Sequence, residues 1–174
     1  LAVDCKAEER KKMAVNKDLK TAPCNLSIIL CTHNPRMNVL RKSIEGLCQQ
    51  KNINNCEIII VNNDSKNHTI SDIVPDVSLK LRIVKESQPG LMYARKTGFR
   101  EAKANAIALV DDDTVLDENY LKNAYELLIN HPEVGVAGGK QILPAHLKRF
   151  SNWSSFLLEL LAVRDGGDQE AIID

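Results

Sequence analysis

The sequence predicts an α/β domain built on a mostly parallel β-sheet that is flanked by helices. Short apolar runs of strand length alternate along the chain with segments whose apolar residues recur at helical spacing. Polar residues gather directly after several of these runs, where the carboxyl ends of parallel strands would form a ligand crevice. Regular alternation of strand and helix is typical of a parallel sheet, because parallel strands need crossover connections.

We predict five strands, over residues 26–31, 57–61, 79–84, 106–110 and 134–142. The first, second and fourth are continuous apolar or β-branched runs, which are typical of strands buried on both faces. The third alternates between apolar and polar residues and predicts a strand with one covered face. The fifth contains the flexible pair Gly138 and Gly139.

Three helices are predicted between or after these strands. The first opens at Pro35, the second spans about residues 91–104 after a Pro89–Gly90 turn, and the third is capped by Asp117. The apolar faces of the first and third helices consist of Leu40, Ile44, Leu47 and Cys48, and of Leu121, Ala124, Leu127 and Leu128. This spacing indicates helices that each cover the sheet with one side.

Length and composition indicate one globular domain. The chain has 174 residues, and its 23 Lys and Arg balance 23 Asp and Glu, so no overall field favours a nucleic acid partner. The apolar runs are too short to cross a bilayer. The five cysteines are Cys5, Cys24, Cys31, Cys48 and Cys56. They show no CxxC spacing, which predicts reduced thiols, a cytoplasmic location and no zinc site.

Residues 1–24 differ from the rest of the chain, and we assign residues 25–174 as the domain. Charged residues crowd between positions 6 and 12 of this lead-in, which we expect to be helical and to end at Ala22–Pro23. A solvated helix or linker is the favoured interpretation. The alternative is contact with an anionic membrane surface, which would place the protein at the inner face of the membrane. Because the chain begins at Leu1, we expect a piece of a longer protein.

Asp111, Asp112 and Asp113 follow the fourth predicted strand and are the most informative residues of the chain. Several carboxylates at the tip of a buried strand make a hard, anionic pocket. Such a pocket suits a divalent cation and, through it, a phosphate-bearing ligand. The alternative is a solvated acidic turn before the next helix.

Further polar residues are expected in the same crevice. They are Cys31, Thr32, His33 and Asn34 after the first strand, Asn62, Asn63, Asp64 and Ser65 after the second, and Glu86, Ser87, Gln88, Pro89, Gly90, Arg95 and Lys96 after the third. Together they offer hydrogen-bonding groups for a base and a ribose, a cation for a diphosphate and carboxylates for a metal. The alternatives are a helix cap for His33, turn formation for the two asparagines and a surface charge for Arg95.

Five segments in this order resemble the large family of inverting nucleotide-sugar glycosyltransferases of the family 2 type, which has the GT-A fold. They are residues 26–35 (LSIILCTHNP), 57–65 (EIIIVNNDS), 86–95 (ESQPGLMYAR), 106–113 (AIALVDDD) and 134–139 (VGVAGG). The resemblance covers roughly residues 25–165. The ordered set is specific to the family, whereas the acidic triplet alone is not.

The resemblance implies a role for each matched position. Cys31 and His33 would border the nucleotide base, Asn63 would meet the base edge, and Asp112 would bond the ribose. The implied nucleotide-sugar-binding residues are Cys31, Thr32, His33, Asn34, Asn62, Asn63, Gly90, Arg95, Asp111 and Asp112. The implied ligands of a divalent metal, Mn²⁺ or Mg²⁺, are Asp113 and Asp111 of the DxD signature. The pair Asn62–Asn63 replaces the commoner Asp-Asp or Asp-Asn, which leaves the nucleotide open.

The resemblance also implies the reaction. A sugar would move from a nucleoside-diphosphate sugar to a hydroxyl of a glycan or lipid-linked acceptor by metal-assisted inverting displacement, as in polysaccharide biosynthesis. The base of the family lies in a later acidic motif. The acids near the end of this chain are Asp165, Asp168, Glu170 and Asp174, and nothing marks one of them as that base. We therefore expect a donor-binding half without the full acceptor-binding half.

An apolar stripe at helical spacing lies near the end of the chain. It consists of Phe150, Trp153, Leu157, Leu160 and Leu161. Core packing is the favoured interpretation of this stripe. The alternatives are pairing of two chains in a homodimer and contact with a lipid-linked acceptor.

Other functions fit part of the sequence. Residues 111–115 match the DxDx[TV] motif of haloacid-dehalogenase-type phosphohydrolases, but that family carries it on its first core strand, whereas three strands precede it here. The later acidic motif of that family is also missing after Gly167–Asp168. A nucleotidyltransferase would need a glycine-rich loop after the first strand, and residues 31–35 contain no glycine. A non-catalytic nucleotide-sugar-binding fragment is the alternative that the unassigned base favours.

Overall fold

The computed structural model describes residues 25–53, 55–66, 70–74 and 80–140. Three sets of predictions lie outside these residues: the lead-in at 1–24, the apolar stripe at 150–161 and the acids at 165–174. The chain divides into two compact units, Leu1–Glu133 and Val134–Asp174, and the helices and strands below belong to the first.

The described part of the first unit is a parallel sheet with helices. The strands are β1 (Leu26–Thr32), β2 (Cys56–Asn63), β3 (Lys80–Glu86) and β4 (Ala106–Asp111), and the helices are α1 (Met37–Cys48), α2 (Leu91–Glu101) and α3 (Tyr120–Asn130). A 3₁₀ turn at Ile70–Ile73 lies between β2 and β3. All strand pairs are parallel, in the order β3-β2-β1-β4, which confirms the predicted sheet. None of the described helices is long and apolar enough to span a bilayer.

The direction of strand addition reverses beside β1. The chain runs from β1 outward to β2 and β3, and then returns to add β4 on the other side of β1. The register aligns the amino ends, where Leu26 lies opposite both Cys56 and Ala106. At the carboxyl ends, Cys31 lies opposite Asp111. Open α/β sheets bind ligands at such a reversal, so the topology points to this edge.

Alternate residues of β1 and β2 enter two apolar layers, one on each face of the sheet. The larger layer includes Ile28, Leu30, Leu40, Ile44, Leu47, Ile58, Ile60 and Leu121. The smaller layer consists of Ile29, Ile59, Val61 and Ala94 of α2. Burial on both faces explains why the middle of β1 and the middle of β2 are continuous apolar runs rather than alternating ones.

α2 packs closely on β1 because residue 98 is glycine. A Cβ atom at Gly98 would lie 2.5 Å from Cγ2 of Ile29, which is too close for any side chain without a shift. The missing side chain therefore lets the helix backbone approach the sheet. This close packing sets the position of α2 relative to the strand tips.

The strands run further into polar sequence than predicted. β1 includes Thr32, β2 includes Asn62 and Asn63, β3 reaches Glu86 and β4 includes Asp111. Backbone groups make the ladder hydrogen bonds, so a strand continues past its apolar run wherever a neighbouring strand still pairs with it. Several predicted site residues consequently belong to strands rather than to loops.

Three helix boundaries differ from the prediction. α1 begins at Met37, with Arg36 at its cap position, rather than at Pro35. α2 ends at Glu101 rather than near Ala104, because the N–H of Ala104 donates to the hydroxyl of Ser27 over 3.0 Å instead of continuing the helix. α3 is capped at Asn119 rather than Asp117. The carboxylate of Asp117 accepts the N–H of Asn119 over 2.9 Å, which forms a turn ahead of the helix.

The predicted fifth strand is not formed over the described residues 134–140. These residues have no regular secondary structure, and Val136 is 90% exposed. Gly138 and Gly139 weaken a strand, because they lack side chains to pack and lose much backbone entropy on folding. Residues 141–142 of the predicted strand lie outside the described residues.

Candidate functional site

The tips of β1 and β4 and the start of α2 bring several predicted residues together. The hydroxyl of Thr32 donates to Oδ2 of Asp112 over 2.5 Å. Nη2 of Arg95 lies 3.7 Å from Oδ1 of Asp111. Cys31 of β1 pairs with Asp111 of β4 in the ladder. The carboxylates of Asp111 and Asp112 and the positively charged guanidinium of Arg95 therefore meet at one edge of the sheet.

Asp112 is held in place by two buried hydroxyl groups. Thr32, which is 3% exposed, binds its carboxylate, and Ser43 of α1, which is 1% exposed, donates to its main-chain carbonyl over 2.9 Å. Because β1 and α1 are well packed, the turn after β4 has a fixed position. Sequence reasoning missed Ser43, although a hydroxyl on the apolar face of a helix was a usable signal.

Asp111 and Asp113 are exposed beside this fixed residue. The side chain of Asp111 is 69% exposed, and its ion pair with Arg95 is long. Asp113 makes no side-chain hydrogen bond or ion pair with another described residue. The carbonyl of Asp111 accepts the N–H of Thr114 over 3.1 Å, which closes a tight turn that carries both carboxylates. Their oxygens keep most of their capacity for a ligand.

These two carboxylates suit a divalent cation such as Mg²⁺ or Mn²⁺. Both ions prefer hard oxygen ligands and commonly take only one or two protein carboxylates, together with water and substrate phosphates. No three candidate ligand side chains converge within the part of the chain that the structure describes. A metal site here would therefore be completed by ligand phosphates. Asp112 is less suited, because Thr32 already occupies one of its carboxylate oxygens.

His33 links the tip of β1 to the tip of β2. Its Nδ1 lies 2.5 Å from the main-chain oxygen of Asn63 and therefore carries the proton, since a carbonyl can only accept. Its Nε2 then accepts from Nδ2 of Asn34 over 3.0 Å. The N–H of Lys66 bonds Oδ1 of Asn34 over 3.1 Å and so sets the orientation of that amide. His33 does not cap α1, whose cap position is Arg36.

The two asparagines at the end of β2 have different surroundings. Oδ1 of Asn62 accepts the N–H of Ser65 over 3.1 Å, which is a turn-forming bond. Asn63 is 2% exposed, and its carboxamide makes three hydrogen bonds to the main chain between β3 and α2. The base contact expected of Asn63 stays a prediction, and the observed bonds leave this amide little capacity for a ligand.

Gly90 is the point at which the connection from β3 turns into α2. Its φ of +131° is a conformation that residues with a Cβ atom rarely adopt. Its carbonyl accepts the N–H of Ala94 over 3.1 Å, so the first helical turn begins here. Arg95 follows Ala94 directly, so the turn at Gly90 sets the position of the positively charged Arg95.

Glu86 and Cys31 have shifted pKa values for different reasons. Hydrogen bonds from the hydroxyl of Thr97 and the N–H of Gln88 lower the pKa of Glu86. Burial raises the pKa of the Cys31 thiol to about 11, and the positive charge of Arg95 opposes this rise only in part. Cys31 is therefore a neutral thiol that packs at the strand tip and is a poor nucleophile.

Residues 27–154 match the model of the family described as Glycosyl transferase family 2. Chondroitin synthase of Escherichia coli is 30% identical over 122 residues, which cover 68% of this chain and 18% of that protein. Glycosyltransferase GlyA of Streptococcus pneumoniae serotype 4 is 24% identical over 108 residues, which cover 61% of this chain and 15% of that protein. The chain thus spans less than a fifth of the length of these relatives.

Two solved structures share the fold. S. aureus TarS 1-349 has a TM-score of 0.54 at 17% identity, over 71% of this chain and 39% of that one. The mannosyltransferase PcManGT from Pyrobaculum calidifontis, in complex with GDP-Man and Mn²⁺, has a TM-score of 0.53 at 21% identity, over 71% of this chain and 40% of that one. Identities this low establish the GT-A fold alone. The family match, which covers most of the chain, establishes that this chain belongs to glycosyltransferase family 2.

Proposed function

We propose that this chain binds the donor in a glycosyltransferase that moves a sugar from a nucleoside-diphosphate sugar to an acceptor hydroxyl, by inverting displacement with a divalent metal. The observation that carries the proposal is the arrangement after β4, where Asp112 is fixed while Asp111 and Asp113 are open. Membership of the family supports the reaction class. PcManGT, which shares the fold, offers a precedent for a nucleotide sugar together with Mn²⁺.

Each side chain at this edge has a proposed role. Asp111 and Asp113 would hold the cation, which when bound supplies charge neutralisation for the leaving diphosphate without proton transfer. Arg95, which lies 3.7 Å from Asp111, adds positive charge on the same side. Asp112 would bind a ribose hydroxyl through the carboxylate oxygen that Thr32 leaves free.

The remaining parts of the reaction involve residues that are not yet assigned. The acceptor hydroxyl needs a base on the face of the sugar opposite the leaving group. Asp111, Asp112 and Asp113 are allotted to the metal and the ribose, and we assign no other described residue to the role of the base. The acceptor, the membrane contact and the homodimer stay predictions. The lead-in at 1–24 and the apolar stripe at 150–161, which bear on them, lie outside the described residues.

A phosphohydrolase of the haloacid dehalogenase type fits less well. Its nucleophile follows the first strand of its core, whereas the acidic triplet here begins at the last residue of β4, which three other strands precede in the chain. The family match also includes the triplet, because it covers residues 27–154. Release of phosphate from a generic ester, independent of any nucleotide, would favour the phosphohydrolase.

A thermal-shift panel tests the proposed function. The chain is heated with nucleoside diphosphates that differ in the base, each with and without Mn²⁺. We expect a nucleotide that raises the Tm only when Mn²⁺ is present. At about a hundredfold excess over Kd the ligand stabilises the folded state by about 2.7 kcal/mol, which corresponds to a shift of about 5 °C or more.

Asp113→Asn and Glu126→Gln form a matched pair for this panel. Asp113→Asn removes a proposed metal ligand and should lower the affinity by about tenfold or more, so the Mn²⁺-dependent part of the shift should fall by about half or more. Glu126 lies on α3, where its exposed pair with Lys122 measures 3.8 Å, and the same acid-to-amide change there should leave the shift intact. A full Mn²⁺-dependent shift in Asp113→Asn contradicts the metal role. Donor hydrolysis or transfer by the purified chain separates an enzyme from a binding module.

A further inference from the structure

We propose that Asn63 is a positioning residue that locks the β3–α2 loop, residues 87–90, and thereby holds Arg95 in place for the nucleotide. This role differs from the base contact expected from the sequence, because it uses the whole carboxamide within the protein. The part of the proposal that concerns nucleotide affinity rests on the proposed function. The part that concerns the loop does not.

The carboxamide of Asn63 bonds the loop and its entry at three points. Nδ2 donates to the carbonyl of Glu86 over 3.2 Å and to the carbonyl of Gln88 over 2.7 Å. Oδ1 accepts the N–H of Gly90 over 2.8 Å. These partners set the orientation of the amide, because only its nitrogen can donate. Asn63 itself is only 2% exposed, so its carboxamide depends on these protein partners for its hydrogen bonds.

A carboxamide is the group that this position requires. It donates and accepts at once, whereas an ionised carboxylate only accepts. An aspartate in place of Asn63 could still accept from Gly90, but its second oxygen would face the carbonyl oxygens of Glu86 and Gln88. The resulting repulsion would push the loop away. The lock therefore gives a physical reason for asparagine rather than aspartate at this position.

The hydrogen bonds of Asn63 affect the position of Arg95 through the first turn of α2. Gly90 begins this turn, and its carbonyl accepts the N–H of Ala94 over 3.1 Å. Ala94 is 1% exposed and packs in the smaller apolar layer against β1 and β2. The start of the helix is thus held by Asn63 at one point and by the sheet at another. Arg95 comes next in the chain and approaches Asp111.

Glu86 supports the same loop through hydrogen bonds of its own carboxylate. Its carboxylate accepts the hydroxyl of Thr97 over 2.5 Å and the N–H of Gln88 over 2.8 Å. Gln88 is therefore bonded through both its N–H and its carbonyl. Because this support is independent of Asn63, replacing Asn63 should loosen the loop without unfolding the domain.

Replacing either Asn63 or Gln88 with alanine tests the lock, because both side chains are carboxamides but only that of Asn63 bonds the loop. Asn63→Ala removes the three bonds, whereas Gln88→Ala removes an exposed side chain that makes no hydrogen bond with another described residue. Ile44→Val, in the opposite apolar layer, is a control that destabilises the domain without touching the loop. Two quantities are measured: amide hydrogen exchange at Gly90 in the free chain, and affinity for the nucleoside diphosphate selected by the panel with Mn²⁺.

We expect exchange at Gly90 to accelerate by about tenfold or more in Asn63→Ala, because its N–H loses the acceptor that protects it. Affinity for the nucleotide with Mn²⁺ should fall by about tenfold as the guanidinium of Arg95 loses its fixed position. Gln88→Ala and Ile44→Val should stay close to wild type in both measurements. Asn63→Asp should lose more affinity than Asn63→Ala, because the added carboxylate repels the loop carbonyls.

Exchange at Gly90 that is unchanged in Asn63→Ala overturns the lock, whatever the nucleotide result. Faster exchange with unchanged affinity overturns the proposed link between the lock and the nucleotide. If the wild-type chain binds no nucleoside diphosphate, the proposed function fails, while the exchange comparison still decides the loop. Should Asn63→Ala not fold, Asn63→Ser, which keeps one hydroxyl for the loop, is judged by the same two measurements.

Discussion

The two ends of the sheet both carry carboxylates, but in opposite surroundings. At the amino end, Glu57 of β2 is 4% exposed, and its Oε1 accepts from the hydroxyl of Ser27 over 2.8 Å and from the N–H of Lys103 over 2.7 Å. Nε of Arg82 lies 3.5 Å from its Oε2, and Arg82 also pairs with Glu101. This carboxylate is surrounded by protein groups that use its bonding capacity.

At the carboxyl end, the carboxylates of Asp111 and Asp113 are exposed and bind little within the described chain. A buried carboxylate must be paired and hydrogen-bonded, because its desolvation otherwise costs several kcal/mol. An exposed carboxylate is hydrated and can exchange water for a cation. Burial and bonding partners, rather than residue type, therefore distinguish an acid that stabilises the fold from an acid that is a candidate ligand.

Removing Glu57 at the amino end of the sheet should have the largest effect on the free energy of unfolding. Glu57→Ala leaves the N–H of Lys103 without its nearest acceptor and Arg82 without one of its two acids. We expect the free energy of unfolding, measured with urea, to fall by about 3 kcal/mol. Glu126→Ala removes an exposed acid on α3 and should cost about 0.5 kcal/mol or less. A loss in Glu57→Ala no larger than in this control would contradict a structural role.

The acid dependence of stability sharpens the comparison. Burial raises the pKa of Glu57, but the hydrogen bonds from Ser27 and Lys103 and the charge of Arg82 outweigh it, so the pKa is lowered from 4.5. The unfolded chain then binds this proton more readily than the folded chain. The contribution of ionised Glu57 to the free energy of unfolding is therefore fully present above pH 4.5. It is lost as the pH falls through the pKa that Glu57 has in the folded chain.

Urea unfolding at pH values from neutral to acidic measures this contribution. Stability should fall below pH 4.5 more steeply in the wild type than in Glu57→Gln, which has no carboxyl group to titrate at this position. Equal acid sensitivity in the two proteins would show that Glu57 does not contribute in this way.

Neutralising the two exposed acids at the carboxyl end of the sheet should have the smallest effect on the free energy of unfolding. Asp111→Asn combined with Asp113→Asn removes two exposed charges from an acidic triplet, and the pair with Arg95 that is lost is long and exposed. We expect the free energy of unfolding to change by about 0.5 kcal/mol or less, towards greater stability, because like charges no longer repel. A loss as large as that of Glu57→Ala would remove the distinction between the two ends.

Periodicity in the sequence predicted the four described strands of the sheet and the edge at which their polar residues gather. The apolar runs of β1 and β2 reflect burial on both faces, whereas β4, expected to be buried in the same way, is only partly covered, with Leu109 45% exposed. The polar residues that follow these runs necessarily end at one edge of a parallel sheet. Thr32, Arg95 and the three acids were therefore expected near one another. Their contacts in the structure match that expectation.

Contacts that depend on register and loop path could not be predicted in the same way. The ion pair between Glu57 and Arg82 requires the alignment of β2 with β3, which no local pattern encodes. The bonds of Asn63 require the path of a loop more than twenty residues away. In a sequence, an asparagine that follows an apolar strand predicts a turn. Only the burial of its side chain in the structure distinguishes an asparagine that holds a distant loop from one that forms a turn.

The most direct test measures the unfolding free energy and the Mn²⁺-dependent nucleotide affinity of two variants, Asp113→Asn and Glu57→Gln. Asp113→Asn should lose affinity by about tenfold or more and keep its stability, because an exposed proposed metal ligand is removed. Glu57→Gln should lose stability and keep its affinity, because its contacts lie at the opposite end of the sheet. Unchanged affinity in Asp113→Asn, or a loss of stability there equal to that of Glu57→Gln, would contradict the account.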